Sequence, residues 1–140
     1  MIRTLHVLVL VFVAVAGLMS LSASAQTADE ALTALKTEAK TASPAFQGFS
    51  AGAGERFFKQ KHANELSCAA CHTENPAAAG KHAKTGKIIK ALAPAANADR
   101  FTDAAKVEKW FKRNCNDVLN RVCTPQEKGD VLAYLLTIKQ

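Results

Sequence analysis

Three observations predict an all-α domain, a small helical bundle wrapped around one covalent cofactor. Four stretches, residues 28–40, 53–62, 102–119 and 124–138, have helix-forming composition or an apolar stripe of helical period. No stretch alternates with the two-residue period of a strand, and no internal repeat is evident. The third observation is Cys68-Ala69-Ala70-Cys71-His72, a Cys-x-x-Cys-His run, the attachment signature of a c-type haem. In such a run the thiols of Cys68 and Cys71 add across the two haem vinyl groups. The adjacent His72 supplies a neutral imidazole nitrogen to the iron as proximal ligand. Two rival uses of these residues were weighed. A zinc site needs a fourth ligand, for which His82 is the nearest candidate. A dithiol redox site needs a thioredoxin-like strand pattern around the motif, and the sequence has none.

The chain begins with a basic Arg3, an apolar run over residues 7–19, and Ser22-Ala23-Ser24-Ala25, which ends as Ala-x-Ala. These are the parts of a cleaved export signal, so residues 1–25 are expected to be removed and residues 26–140 to form the cytochrome domain. The apolar run falls short of the roughly 20 residues a membrane-spanning helix needs, so a permanent membrane anchor is not expected. Thioether attachment of haem takes place outside the cytoplasm in bacteria, and a periplasmic location follows. Removing the leader takes away one basic residue and no acidic one, leaving a net charge of +5 from +6. That mild excess suits an acidic partner. No long basic block or nucleic-acid motif is present, so nucleic-acid binding is not expected. Both methionines, Met1 and Met19, lie in the leader. A distal methionine, the usual sixth ligand of small electron-carrying cytochromes, is thereby excluded from the processed chain.

The first helix, 28–40, is rich in Ala, Leu, Lys and Glu and ends before Ser43-Pro44. Phe46, Gly48 and Phe49 follow in a connection that lays an aromatic ring on the core. The second helix, 53–62, turns Gly54 and Phe58 to the core, four residues apart on one face. Residues 73–97 carry no long periodic segment. Lys81, Lys84, Lys87 and Lys90 recur there every three residues, which reads first as a solvated basic loop and second as a docking patch or a partner for the haem propionates. Ile88, Ile89 and Leu92 are the residues of this loop expected to touch the porphyrin. A carbonyl near Pro94 is the candidate acceptor for the His72 Nδ1–H.

The third helix starts at Thr102 or Asp103 and runs towards Leu119. Val107, Trp110, Phe111, Asn114 and Val118 form one stripe, which adds Trp110 and Phe111 to the haem-packing candidates. Asn116 lies about 180° from Val107 and faces solvent. Asn114 interrupts an otherwise apolar stripe, and a buried amide without a partner costs roughly 1–3 kcal/mol. The last helix opens with Thr124-Pro125-Gln126-Glu127, a capping box with proline at its first position. Val131, Leu132, Leu135, Leu136 and Ile138 make its apolar face, with Tyr134 beside it. Cys115 and Cys123, left over once the haem takes Cys68 and Cys71, most simply form a disulfide in an exported protein, worth roughly 2.5 kcal/mol by loop-closure entropy. With methionine gone, four arrangements of the sixth position stay open: His62 or His82, a lysine of the 81–90 loop, an open site, or Asn114.

From residue 68 to the C-terminus the chain resembles the sphaeroides haem protein family of class I-type cytochromes c. The residues that carry the likeness are Cys68-Ala69-Ala70-Cys71-His72, Lys84-Thr85-Gly86-Lys87, Leu92-Ala93-Pro94, Asp99-Arg100-Phe101-Thr102-Asp103, Val107-Glu108-Lys109-Trp110, Arg113-Asn114-Cys115-Asn116 and Cys123-Thr124-Pro125. The resemblance implies one covalent haem c with its iron, Asn114 as distal ligand through its side-chain amide, and a Cys115–Cys123 bridge. It implies further that the asparagine leaves the iron on reduction, and that the ferrous form then binds oxygen, nitric oxide or carbon monoxide. A dihaem cytochrome c is the implied electron donor. A pure electron carrier and an oxygen- or nitric oxide-consuming enzyme are the alternative function classes.

Overall fold

The structure, a computed structural model, describes residues 25–139. The expected leader, Ala25 apart, lies outside the described residues. Five helices and one minimal hairpin follow in the order α1 (Ala28–Ala42), α2 (Ala51–Lys59), α3 (Ala69–His72), β1 (Gly80–Lys81), β2 (Ile88–Ile89), α4 (Ala104–Leu119) and α5 (Pro125–Thr137). Among these residues no helix is long and apolar enough to cross a membrane.

Local chemistry sets each helix end. Thr27 with Glu30, and Thr124 with Glu127, form capping boxes at the starts of α1 and α5. Asp103 caps α4 by accepting from the Lys106 N–H at 3.0 Å, and Asn120 closes that helix in the left-handed conformation. The second helix departs from expectation at both ends. Its cap is Ser50, three residues before the expected start, and it stops at Lys59 rather than at His62. Gln60 turns extended there, and His62 folds back so that its Nε2 donates to the Phe57 carbonyl at 2.8 Å.

At the centre α5 packs on α2 and α1. Phe58, Leu132 and Leu135 have no exposed surface. Phe58, Ala69, Val131, Tyr134 and Leu135 form one cluster, and Ala31, Leu35 and Leu132 a second between α1 and α5. Phe49 supplies the expected aromatic ring, packing beside the α1–α5 cluster and edge-on to Phe46 at 5.0 Å. A third cluster, Cys115, Val118, Leu119 and Cys123, holds the end of α4 against Phe57 and Leu66.

The basic loop is solvated: Lys81, Lys84, Lys87 and Lys90 are all exposed. The hairpin within it pairs Gly80 with Ile89 and Lys81 with Ile88. Two-residue strands are too short to have a period, so nothing in the sequence pattern announces them.

Candidate functional site

The site is built on α3, a single helical turn. Cys68 stands at its start and Cys71 three residues on, so one turn carries both thiols. They are the free cysteines of the described residues, and both are half-buried. Burial pushes the Cys68 thiol up to about 11, the opposite of an activated redox cysteine, which speaks against the dithiol reading. The hairpin lies on the same turn. A Cβ at Gly80 would collide with the Cys71 carbonyl oxygen, and the Ala83 N–H points at the Cys71 Sγ from 3.4 Å.

His72 ends α3. Its ring centre lies 6.4 Å from that of Phe58, which in turn lies 5.7 Å from that of Tyr134. Burial, and after it the positive charge of Arg100, hold the imidazole pKa down at about 4. A neutral imidazole with a free lone pair is the form a metal requires. Thr73 follows at φ 64°, ψ 163°, a region a β-branched residue rarely enters. Its hydroxyl donates to the Asn75 carbonyl at 2.7 Å and accepts from the Asn75 N–H at 3.2 Å, which holds the sharp exit from the motif. The Pro94 carbonyl, the candidate partner for His72, accepts from the Asn97 N–H at 3.2 Å.

The expected packing residues divide into two groups. Cys68, Leu92 and Phe111 converge on the Phe58–Tyr134–Leu135 cluster. Ile88, 74% exposed, and Trp110, 47% exposed, face outward instead, and Asn114 is exposed on the same face of α4 as Trp110. This corrects the picture of a stripe buried in protein. Val118 is buried and Phe111 packs on the motif-bearing core, so the exposed part of the stripe is the Trp110 indole with Asn114 one turn on. The guanidinium of Arg113 lies 5.2 Å from the Trp110 ring centre and the ammonium of Lys109 5.9 Å, which accounts for some of the exposed indole. Cys115 and Cys123 are joined by a disulfide with Cα atoms 5.6 Å apart, one residue beyond Asn114.

The two candidate histidines each engage the backbone through one ring nitrogen. His62 donates from Nε2 to a carbonyl and packs on Phe57 with ring centres 4.6 Å apart. His82 accepts the Lys84 and Thr85 N–H groups on Nδ1, each at 3.2 Å, and so caps its own turn. Among the described residues no three His, Cys, Asp or Glu side chains gather as a metal site, which removes the zinc reading with His82.

One residue had no sequence signal of its own. The Arg100 Nε donates to the Ala91 carbonyl at 2.8 Å and its Nη2 to the Lys90 carbonyl at 2.6 Å. The guanidinium is half-buried, makes no ion pair among the described residues, and its pKa is lowered by burial. A buried cation calls for an anionic partner. Two thiols on one turn, a neutral imidazole, the exposed side chains of Ile88 and Trp110 and a guanidinium without an ion pair together fit a haem, which carries vinyl groups, iron, an apolar ring and carboxylates.

Residues 44–135 match the family described as Domain of unknown function (DUF1924). The chain is 47% identical over 103 residues to cytochrome c'' of Methylophilus methylotrophus, covering 71% of this chain and 72% of that protein. It is 56% identical over 69 residues to the cytochrome c-type protein SHP of Cereibacter sphaeroides, covering 49% and 53%. The structure of oxidized SHP, described as an oxygen-binding cytochrome c, superposes with a TM-score of 0.72 at 36% identity, covering 81% of this chain and 99% of that one. A solution structure of the Methylophilus cytochrome c'', described with the structural basis of haem-ligand detachment, gives a TM-score of 0.70 at 43% identity, covering 81% and 94%.

Proposed function

Because the chain belongs to the DUF1924 family, with cytochrome c'' and SHP among its relatives, we propose that it is an exported, periplasmic monohaem cytochrome c with a redox-labile distal asparagine. Its cofactor is haem c with its iron. When bound, that group supplies a one-electron redox centre and a coordination position for a diatomic ligand. Cys68 and Cys71 hold it through thioethers, and His72 coordinates from the proximal side. Leu92 and Phe111 pack against it from the core, and Ile88 and Trp110 bring exposed apolar surface that a porphyrin would cover. The observation that carries the reading is on α4, where Asn114 stands exposed one turn from the exposed indole of Trp110 while Phe111 between them reaches the motif-bearing core.

Asn114 takes the sixth position in the ferric protein through its amide oxygen. A neutral oxygen donor is hard and weak, and suits ferric iron better than the softer ferrous ion. Asn114 would hold ferrous iron only weakly, leaving the bound haem able to take oxygen, nitric oxide or carbon monoxide when reduced. The commitments of His62 and His82 to backbone partners support Asn114 over a bis-histidine site. Electrons arrive from a partner cytochrome, a dihaem cytochrome c by resemblance, and exposed Lys81, Lys84 and Lys87 offer it a basic face. Electron transfer with ligand binding is the primary role. Steady consumption of oxygen or nitric oxide with a regenerating donor would make the protein an enzyme.

One optical titration across both redox states tests the reading. The ferric form is expected to be six-coordinate, and the ferrous form five-coordinate, high-spin and quick to bind carbon monoxide. A low-spin ferrous spectrum that ignores carbon monoxide would mean a strong ligand stays in place, and would sink the labile-asparagine reading.

Arg100 completes the cofactor site as the counter-charge of a haem propionate. Exchanging it for glutamine removes a positive charge near the iron and so favours the ferric state. The midpoint potential of Arg100→Gln should fall by the equivalent of about 1 kcal/mol, at an effective dielectric of about 20, with the haem still attached. Spectroelectrochemistry reads this directly, and an unchanged potential removes Arg100 from the site.

A further inference from the structure

Helix α4 meets the rest of the protein unevenly about Asn114. Beyond that residue it is tied three times. Cys115 is bonded to Cys123, and Asn64 donates from Nδ2 to the Asp117 carbonyl at 2.9 Å and from its backbone N–H to the Val118 carbonyl at 3.2 Å. Before Asn114 the polar tie is a single one. The Lys128 Nζ donates to the Glu108 carboxylate at 2.7 Å and, on its other side, to Glu38 of α1 at 3.3 Å. The lysine side chain is only 8% exposed, whereas Glu38 and Glu108 are 51% and 62% exposed. The cation is therefore the fixed member, rooted in α5, and the two carboxylates come to it from neighbouring helices.

We propose that Lys128 is a positioning residue for the distal ligand, holding α4 through Glu108 so that the Asn114 amide reaches the iron. The inference rests on the reading of Asn114 as sixth ligand. The α5 end of the contact is rigid, because Leu132 and Leu135 one and two turns later are wholly buried. A short charge-assisted bond to a buried ammonium has a defined direction, which an exposed surface pair does not. A weak amide donor also has little affinity in reserve, so a small displacement of α4 shifts its occupancy. Glu38 makes the same kind of bond to the same ammonium but stands on α1, which carries none of the site residues. It is thus a built-in control.

The holoprotein variants Glu108→Gln and Glu38→Gln separate positioning from plain stability. The probe is imidazole binding to the ferric protein, whose rate is limited by how often Asn114 leaves. Glu108→Gln should raise that rate roughly fivefold, the lower end of couplings between linked sites, and shift the ferric spectrum towards that of Asn114→Ala. Glu38→Gln should lose similar thermal stability with the imidazole rate and ferric spectrum of the parent. Equal rates in the two variants, raised or not, overturn the inference and leave Lys128 a structural clamp. Asn114→Ala distinguishes the two levels of failure. If its ferric spectrum matches the parent, the ligand reading falls and this inference with it. If its spectrum changes while the two glutamate variants stay alike, this inference falls alone.

Discussion

Replacing Asn114 by alanine is expected to change the ferric spectrum from that of a six-coordinate to that of a five-coordinate or water-ligated haem, with the haem still attached. Attachment depends on Cys68, Cys71 and His72, all on α3, and the substitution touches none of them. The Asn114 side chain makes no hydrogen bond among the described residues and lies exposed in the middle of α4, so its removal breaks no hydrogen bond within the protein. Alanine is the better helix former by about 0.5 kcal/mol, so the variant should be as stable as the parent or slightly more so. That combination is diagnostic. A spectral change caused by loosened packing would come with lost stability, whereas a lost ligand would not. The ferrous spectrum should change little, because the asparagine has already left in that state. Asn114→His sharpens the test, since imidazole binds ferrous iron firmly and should slow carbon monoxide binding. A ferric spectrum of Asn114→Ala identical to the parent would exclude Asn114 as the ligand.

What could be read in the sequence was whatever is local. The capping box at Thr124 and the cap at Asp103 announce two helices within a residue or two, because a cap and its partner stand three residues apart, and composition alone announces the first. The start of α2 was obscured by Gly52 and Gly54, poor helix formers that hid the cap at Ser50. The stripe on α4 was legible as a period, but a period names a face and not what covers it. Trp110 and Asn114 therefore looked like core from the sequence and stand exposed in the protein. The roles of Arg100 and Lys128 were hidden for a different reason. That of Arg100 lies in its partial burial, and that of Lys128 in burial and in a partner far along the chain, Glu38 being 90 residues away. No local pattern distinguishes such a lysine from a solvated one.

The largest loss of stability is expected from Gly54→Ala. A Cβ at Gly54 would collide with the Asp130 carbonyl carbon and oxygen and stand 2.9 Å from the Val131 nitrogen. All three are backbone atoms of α5, so no side chain can rotate away and the two helices must part. The cost should reach about 3 kcal/mol or more, at the upper end for overpacking and a large share of a small domain's stability. Gly52→Ala is the control within the same helix. There a Cβ would find its nearest atoms at 3.7 and 4.0 Å, ordinary contacts, and the change should stabilise by roughly 0.5–1 kcal/mol. Denaturation of the two holoproteins should therefore move in opposite directions, and a Gly54→Ala midpoint near the parent would refute the tight crossing. The consequence extends to the iron. One turn after Gly54, the fully buried Phe58 stands between Tyr134 of α5 and His72. Parting α2 from α5 loosens the wall behind the proximal imidazole, so Gly54→Ala should perturb the haem spectrum under conditions where Gly52→Ala leaves it unchanged.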